Sequence, residues 1–349
     1  MNNNNYSYLV QALHHLALGN KFIPELLHDI EKLIYRKKFI DVTNNNHIFI
    51  NGLARSGSTI LMRSIFDTKE FSSLTYRDMP FVISPNIWSV ISNRLKKKNA
   101  AQRMHGDNIF IDLDSPEQLE EAFWKLKDEK LYIHKNELKS YLVKKDEIEE
   151  YKKFINLILI KYKKKNYIPR NNNNILRLIS LRKSFPYSLI LITFRDPIHQ
   201  SLSLLRQHTS FSEIQKKNTF TKSYMKFLAH HEFGLTQKPF LFNEENPKKY
   251  LNKNDINYWL EQWIHVYKNL LKQEFINSNY TFFMCYEDLI QNPKQIFDKI
   301  LKLTRLTALE KIDLNNFKIQ KKYKDKNLNL NENLVNEAQK IYQNLRNIF

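Results

Sequence analysis

Gly52 and Gly57 are two of only five glycines in the chain, and the second leads directly into Ser58-Thr59. Gly52-x-x-x-x-Gly57-Ser58-Thr59 has the spacing of a phosphate-binding loop, G-x-x-x-x-G-K-[ST], with Ser58 where the lysine would stand. Such a loop turns backbone N–H groups towards an anion at the positive end of a helix. Without the lysine it lacks the group that grips the β- and γ-phosphates of a nucleoside triphosphate; its charge sits inside the loop, on Arg55. A second arginine opens another turn, Arg195-Asp196-Pro197, and Ser203 follows eight residues after it. In a helix that spacing is slightly over two turns and leaves Ser203 about 80° round from Arg195. Arg195 and Ser203 can then bracket one phosphate near a helix N-terminus. Two such sites imply a ligand with two separated anionic groups.

The elements that must position these residues can be read around them. Ile48 to Ile50 is an apolar strand before the loop, and a helix opens at Gly57. Leu189 to Phe194 is an unbroken apolar run suited to a central parallel strand, and Tyr280 to Tyr286 is another. Strands alternating with helices predict an α/β fold with a central, mostly parallel sheet flanked by helices. Ligands of such sheets bind at the carboxyl ends of the strands. Residues 7–38 read as two helices, Leu74 to Tyr76 as a short strand, and about 81–97 as a helix. Ser115-Pro116 has the form of a helix start for SPEQLEEAFWKL, and Glu147 to Lys165 reads as a lysine-rich amphipathic helix. The polar run 171–174 leads into a helix ending before Pro186, and 258–275 forms an amphipathic helix with Trp259 and Trp263 towards the core. One domain is expected over 1–349: N-terminal helices (1–46), a catalytic core (47–305) with acceptor-side insertions at 81–165 and 209–257, then a basic loop and C-terminal helix (306–349).

Composition bounds the function class. Charged residues are 26% and apolar residues 42% of the 349, ordinary values for a soluble globular protein. The net charge of +19, from 55 Lys+Arg against 36 Asp+Glu, fits an anionic partner but also fits drift in a chain rich in Asn, Ile and Lys. The lone Cys285, in the apolar run TFFMCY, excludes an internal disulfide and reads as a buried, inert thiol. The N-terminus lacks a charged start followed by a long apolar stretch, and no window reaches the roughly 20 apolar residues of a membrane helix, so a cytoplasmic protein without a membrane span is expected. No metal site is expected either: His14-His15 and His230-His231 are adjacent pairs that do not share a helix face.

These residues resemble the sulfotransferases that use 3′-phosphoadenosine 5′-phosphosulfate (PAPS). In that family [PA]-[RK]-S-G-[TS]-T binds the 5′-phosphosulfate, matched here by Ala54-Arg55-Ser56-Gly57-Ser58-Thr59. A later strand ending in R-[DN]-[PG], with a serine eight residues after the arginine, binds the 3′-phosphate, matched by Arg195-Asp196-Pro197 and Ser203. A third feature, a strand running into Y-E-x-L with a downstream proline, appears as Tyr286-Glu287-Asp288-Leu289 and Pro293. The resemblance spans about 47–305 and is nearest to the tyrosylprotein-sulfotransferase-like and bacterial branch, which shares F-I-x-G-x-x-R-S-G-[TS]-T-x-L-M-R. It implies a P-loop NTPase-like sulfotransferase fold with helical insertions, PAPS as donor, and no metal.

By the same resemblance Arg55 contacts the group that moves. A carboxylate some twenty residues on acts as base; Asp78 is the nearest match, one or two residues out of register and with Glu usual in the family. The family's transfer lysine falls on Arg170, which keeps the charge but changes its geometry. His208, at the end of the SLSLLRQH run, lies on the nucleotide side, and Tyr286 either stacks on adenine or packs in the core. His105 and Asp107 either meet the acceptor, one of them as an alternative base, or shape a loop. The expected activity is sulfuryl transfer from PAPS to a hydroxyl acceptor. The Tyr, Trp, Lys and Arg of the two insertions favour a saccharide or glycoconjugate over a peptide tyrosine. Two rivals are a P-loop kinase or NTPase and a basic nucleic-acid-binding protein. The missing lysine and the lack of an apolar strand ending in a magnesium-binding Asp disfavour the first; lysines scattered over many helices disfavour the second.

Overall fold

The apolar runs of the sequence pair side by side in a computed structural model, which describes residues 7–95, 101–102, 110–242, 252–273, 279–304, 306–317 and 328–348. Its strands are β1 (Ile48–Asn51), β2 (Phe71–Ser72), β3 (Ala101–Gln102), β4 (Phe110–Ile111), β5 (Leu138–Lys139), β6 (Asn166–Tyr167), β7 (Leu189–Phe194), β8 (Phe240–Leu241) and β9 (Thr281–Cys285). The helices before the second long strand are α1 (Tyr8–Leu18), α2 (Phe22–Tyr35), α3 (Ser58–Phe66), α4 (Pro85–Ser92), α5 (Glu121–Tyr132), α6 (Lys145–Tyr162) and α7 (Leu178–Ser184). After it come α8 (Pro197–Lys217), α9 (Thr219–Phe227), α10 (Ile256–Leu271), α11 (Tyr286–Gln291), α12 (Pro293–Thr304) and α13 (Glu332–Ile348).

The fold is α/β, as the alternation of strands and helices predicts. The central sheet has the order β1-β7-β9, every pair parallel, with Ile48 opposite Leu189 and Ile190 opposite Thr281. Side chains of successive strand residues point to opposite faces, and both faces are covered. Phe49, Ile190 and Ile192 enter one core with Trp263 and Tyr267, whereas Ile48, Ile50, Leu189 and Leu191 enter a second with Leu61 and Phe297. A sheet buried on both sides explains why these strands read as continuous apolar runs. Beyond β1 the sheet is extended by Arg170, which bridges Ile50 in parallel, and by the β2–β6 pair. Each long strand feeds a helix directly: β1 leads to α3, β7 to α8 and β9 to α11. Three helix N-termini therefore gather at one edge of the sheet.

Several local expectations are corrected. The helix expected at Ser115-Pro116 begins only at Glu121, because Pro116 bridges Thr75 and the Glu117 N–H donates to Leu74 O at 3.1 Å. Those pairings hold 115–117 extended, and the chain cannot be helical there. The short strand lies at Phe71–Ser72 rather than Leu74 to Tyr76, and the helix expected over 81–97 is the shorter α4. α8 does not stop at His208 but runs on to Lys217. Trp259 and Trp263 are buried as the amphipathic pattern of α10 requires. Cys285 is buried too, and burial raises its thiol to about 12, so it is inert at neutral pH. Part of the 81–165 and 209–257 insertions and the basic loop near 320–326 lie outside the described residues. Among the described residues no helix is long and apolar enough to cross a membrane, and no group of three or more His, Cys, Asp or Glu is placed to hold a metal ion.

Candidate active site

The loop after β1 is shaped by contacts that only glycine permits. Gly52 has φ 124°, and a Cβ there would meet Thr193 O of β7 at 2.3 Å. Ser56 Oγ lies 2.6 Å from Thr193 Oγ1, which donates to Asn51 O at 3.0 Å, so the loop is pinned to the end of β7. Gly57 precedes α3 with φ 86°, and a Cβ there would lie 2.4 Å from the ring of Tyr286. Arg55 is also left-handed, at φ 69°, a conformation that costs a non-glycine residue about 1–3 kcal/mol. No side chain caps α3 among the described residues. Its first N–H groups, from Ser58 and Thr59 onwards, therefore open on the loop, an arrangement able to hold an anion.

The second arginine turn closes on the first. Asp196 caps α8 by accepting from the His199 N–H at 2.9 Å. Arg195 lies 4.7 Å over the ring of Tyr286, and its Nε is 3.7 Å from Glu287 Oε1. That Nε is buried without a hydrogen-bond partner. Burial raises the Tyr286 hydroxyl's pKa, while Arg195 and Arg55 both pull it down, so all three side chains share one neighbourhood. The expected Arg195–Ser203 bracket takes a different form, because Ser203 Oγ accepts from Arg55 Nε at 2.9 Å. The hydroxyl of the second motif is thus tied to the arginine of the first. Tyr286 fills the gap between Gly57 and Arg195 and is half-buried, neither wholly core nor wholly free to stack.

Gln200 is the residue that sequence reasoning missed. Fully buried on α8, it donates to Ala54 O at 3.0 Å and accepts from the Arg195 N–H at 3.1 Å and Trp263 Nε1 at 3.0 Å. One amide therefore fixes the positions of both arginine turns. Its spacing from Arg195 carries no motif signal, and a glutamine in the first turn of a helix ordinarily reads as surface.

Arg170 and Asp78, the other expected catalytic groups, part company. Arg170 sits beside Ile50 at the carboxyl edge of the sheet and forms an ion pair with Glu117; its Nε is buried without a partner. Glu117 also accepts from Tyr76 Oη at 2.8 Å. Asp78 is fully buried, and its two oxygens are taken by the Thr75 N–H at 2.7 Å, Tyr162 Oη at 2.5 Å and Lys161. It caps a short 3₁₀ turn over Tyr76–Asp78 and its side chain is wholly closed off from an acceptor, whereas the Glu117 side chain keeps 13% of its surface exposed. The carboxylate beside Arg170 is Glu117, which follows Asp78 by 39 residues and has no motif to announce it.

His208, expected on the nucleotide side, lies on α8 beside Trp259. It is buried, accepts at Nδ1 from the Gly234 N–H at 3.1 Å and packs 5.4 Å from Trp259. Burial, with Lys253 nearby, lowers it to about 4, so it is a neutral acceptor at neutral pH. His105 and Asp107 lie outside the described residues.

Residues 47–238 match the model of the sulfotransferase family, and the chain belongs to that family: it is a transferase. No curated protein matches it. Among solved structures, sulfotransferase STF1 from Mycobacterium tuberculosis H37Rv is similar at 13% identity over 98% of this chain and 88% of that one, with a TM-score of 0.50. Sulfotransferase STF9 from Mycobacterium avium is similar at 13% identity over 98% of this chain and 85% of that one, with a TM-score of 0.47. At such identity the likeness to STF1 concerns the fold alone.

Proposed function

We propose that the chain transfers a sulfuryl group from PAPS to a hydroxyl of a saccharide or glycoconjugate, releasing adenosine 3′,5′-bisphosphate. The observation that carries this reading is the Arg55–Ser203 hydrogen bond, which makes two anion-binding turns one site. The residues suit a ligand with two anionic ends. The uncapped start of α3 behind Gly57 suits the phosphosulfate, and Arg195, whose buried Nε makes no hydrogen bond, suits the 3′-phosphate. Tyr286 lies between them.

In this reading the acceptor oxygen forms a bond to sulfur as the bridging bond to the 5′-phosphate breaks, and the electron pair leaves on that phosphate. Charge stabilisation and positioning dominate such a transfer. Arg55 and Arg170 neutralise charge on the sulfuryl and bridging oxygens, and Glu117 takes the acceptor's proton in place of Asp78. The N–H groups of Ser56 to Thr59 hold the donor's anionic end.

Binding to immobilised adenosine 3′,5′-bisphosphate without magnesium tests the donor. The wild-type protein is expected to be retained. Arg195→Ala should weaken binding by about 10- to 100-fold, the worth of a charge-assisted hydrogen bond of about 1.5–3 kcal/mol. Tight binding of ATP with magnesium and no response to the bisphosphate would favour a kinase or NTPase and overturn the proposal.

A further inference from the structure

A cavity of about 760 Å³ opens between α5, α9 and the start of α10, lined by the two segments read from the sequence as the acceptor side and by Tyr258 and Gln262 just beyond them. That volume is in the range of small-ligand sites, about 300–1,000 Å³. Six lysines line it: Lys125, Lys135, Lys222, Lys226, Lys238 and Lys253. Lys125, Lys238 and Lys253 are half-buried, while Lys135, Lys222 and Lys226 are exposed around them. The inner three donate to backbone carbonyls: Lys125 to Lys226 O at 3.1 Å, Lys238 to Lys135 O at 2.9 Å and Lys253 to Gln237 O at 2.6 Å. Two carboxylates also line the cavity, but Glu129 pairs with Lys21 at 3.4 Å and Glu137 approaches Lys139 at 3.9 Å.

The lysines are therefore held in place without carboxylates enough to neutralise them. Burial lowers the pKa of all three inner lysines; Lys226 lowers Lys125 and Lys238, and Lys238 lowers Lys253, opposed by Glu129 at Lys125 and by Glu137 at Lys238. A cleft lined by one sign of charge focuses its field on whatever enters. The remaining lining points to the kind of anion. Phe240 and Tyr258 give it apolar surface, and Gln262, only 5% exposed, has an Oε1 with no hydrogen-bond partner. An amide oxygen needs a donor, which a fully ionised anion such as sulfate lacks and a ring hydroxyl supplies. One small apolar cluster, with Ala54 of the loop, Leu204 of α8, Trp259 and the cavity's Tyr258, packs between the candidate active site and the cavity.

We propose that this cavity holds the acidic residues of the acceptor, making that acceptor an anionic oligosaccharide rather than a neutral one. The proposal rests on the sulfuryl-transfer reading above and names the substrate class for it. Carboxylate or sulfate groups meet the lysines, ring C–H surfaces lie on Phe240 and Tyr258, and a ring hydroxyl donates to Gln262.

Calorimetric titration of the full chain with tetragalacturonate, a carboxylated tetrasaccharide, tests it, with neutral maltotetraose, tetraglutamate and inorganic phosphate as the other arms. Tetragalacturonate is expected to bind, the neutral sugar not to, and the charge-reversed Lys226→Glu to lose affinity by about tenfold or more, a change of about 1.4 kcal/mol. Gln262→Ala, which keeps every lysine, should weaken the acidic sugar without creating affinity for the neutral one. Tetraglutamate binding as tightly would make this an acidic-peptide site, and phosphate competing at equal concentration would make it a simple anion site; either overturns the saccharide assignment. So does unchanged affinity in a Lys226→Glu protein whose circular dichroism matches wild type. Bisphosphate binding, measured in parallel, reports on the donor alone. Its failure with tetragalacturonate still bound would sink the transfer reading and not the cavity.

Discussion

Glu117 accepts from Tyr76, Arg170 and the Gln118 N–H, so a proton taken from an acceptor would arrive on a carboxylate already held by a phenol, a guanidinium and a backbone amide. A positioned general base contributes about 10²–10⁴-fold to rate. Glu117→Gln keeps the shape of the side chain and should lower kcat by that factor while leaving the bisphosphate Kd within about twofold. Steady-state kinetics beside a binding titration separates the two, and undiminished kcat would remove Glu117 from the chemistry. Asp78→Asn should act differently, on stability, because it leaves Lys161 without its buried ion-pair partner. Breaking such a pair costs about 3–5 kcal/mol, visible as a lowered urea midpoint.

Helix α8 carries both Gln200 and Ser203, and so joins the two arginine turns through one rigid element. Gln200→Leu would strand the Arg195 N–H, the Trp263 indole N–H and the Ala54 carbonyl, each buried polar group costing about 1–3 kcal/mol. A lowered melting temperature together with weaker bisphosphate binding is expected. A protein that melts earlier but binds the bisphosphate as wild type does would show that the loop holds its shape without α8. At the same scale, α5 begins late because the residues before it pair with 74–75, and this carries Glu117 to Arg170.

Across the molecule, His28 and His47 are fully buried and neutral, each lowered to about 4. Burial is the main cause for both, opposed at His28 by the Ile83 carbonyl and at His47 by that of Val42. The unfolded chain takes up their protons near pH 6.5, before the folded chain does. Their contribution to stability is therefore complete above pH 6.5 and is lost as the pH falls towards 4. Each should cost about 2 kcal/mol between pH 7 and pH 5, from about 1.4 kcal/mol per unit of pKa difference. Urea unfolding at the two pH values should show the loss, and His47→Gln should make the difference smaller; an equal difference in that variant would rule His47 out as a source.

Much of this was legible in the chain itself. The three apolar strand runs, the two arginine turns and the parallel α/β arrangement followed from local features: apolar continuity where both faces of a sheet are buried, and glycines where a Cβ would strike Thr193 or Tyr286. Such signals survive in sequence because each belongs to a few adjacent residues. The Glu117–Arg170 pair, the hub at Gln200, the buried His208 and the lysine cavity did not. Glu117 meets Arg170 across 53 residues and Gln200 meets Ala54 across 146, and neither pair shares a motif. Asp78 had the spacing of a base and became a buried cap, because Tyr162 and Lys161 of a distant helix closed over it. Order along the chain fixes which groups a turn can present; packing decides which of them remains open to a substrate.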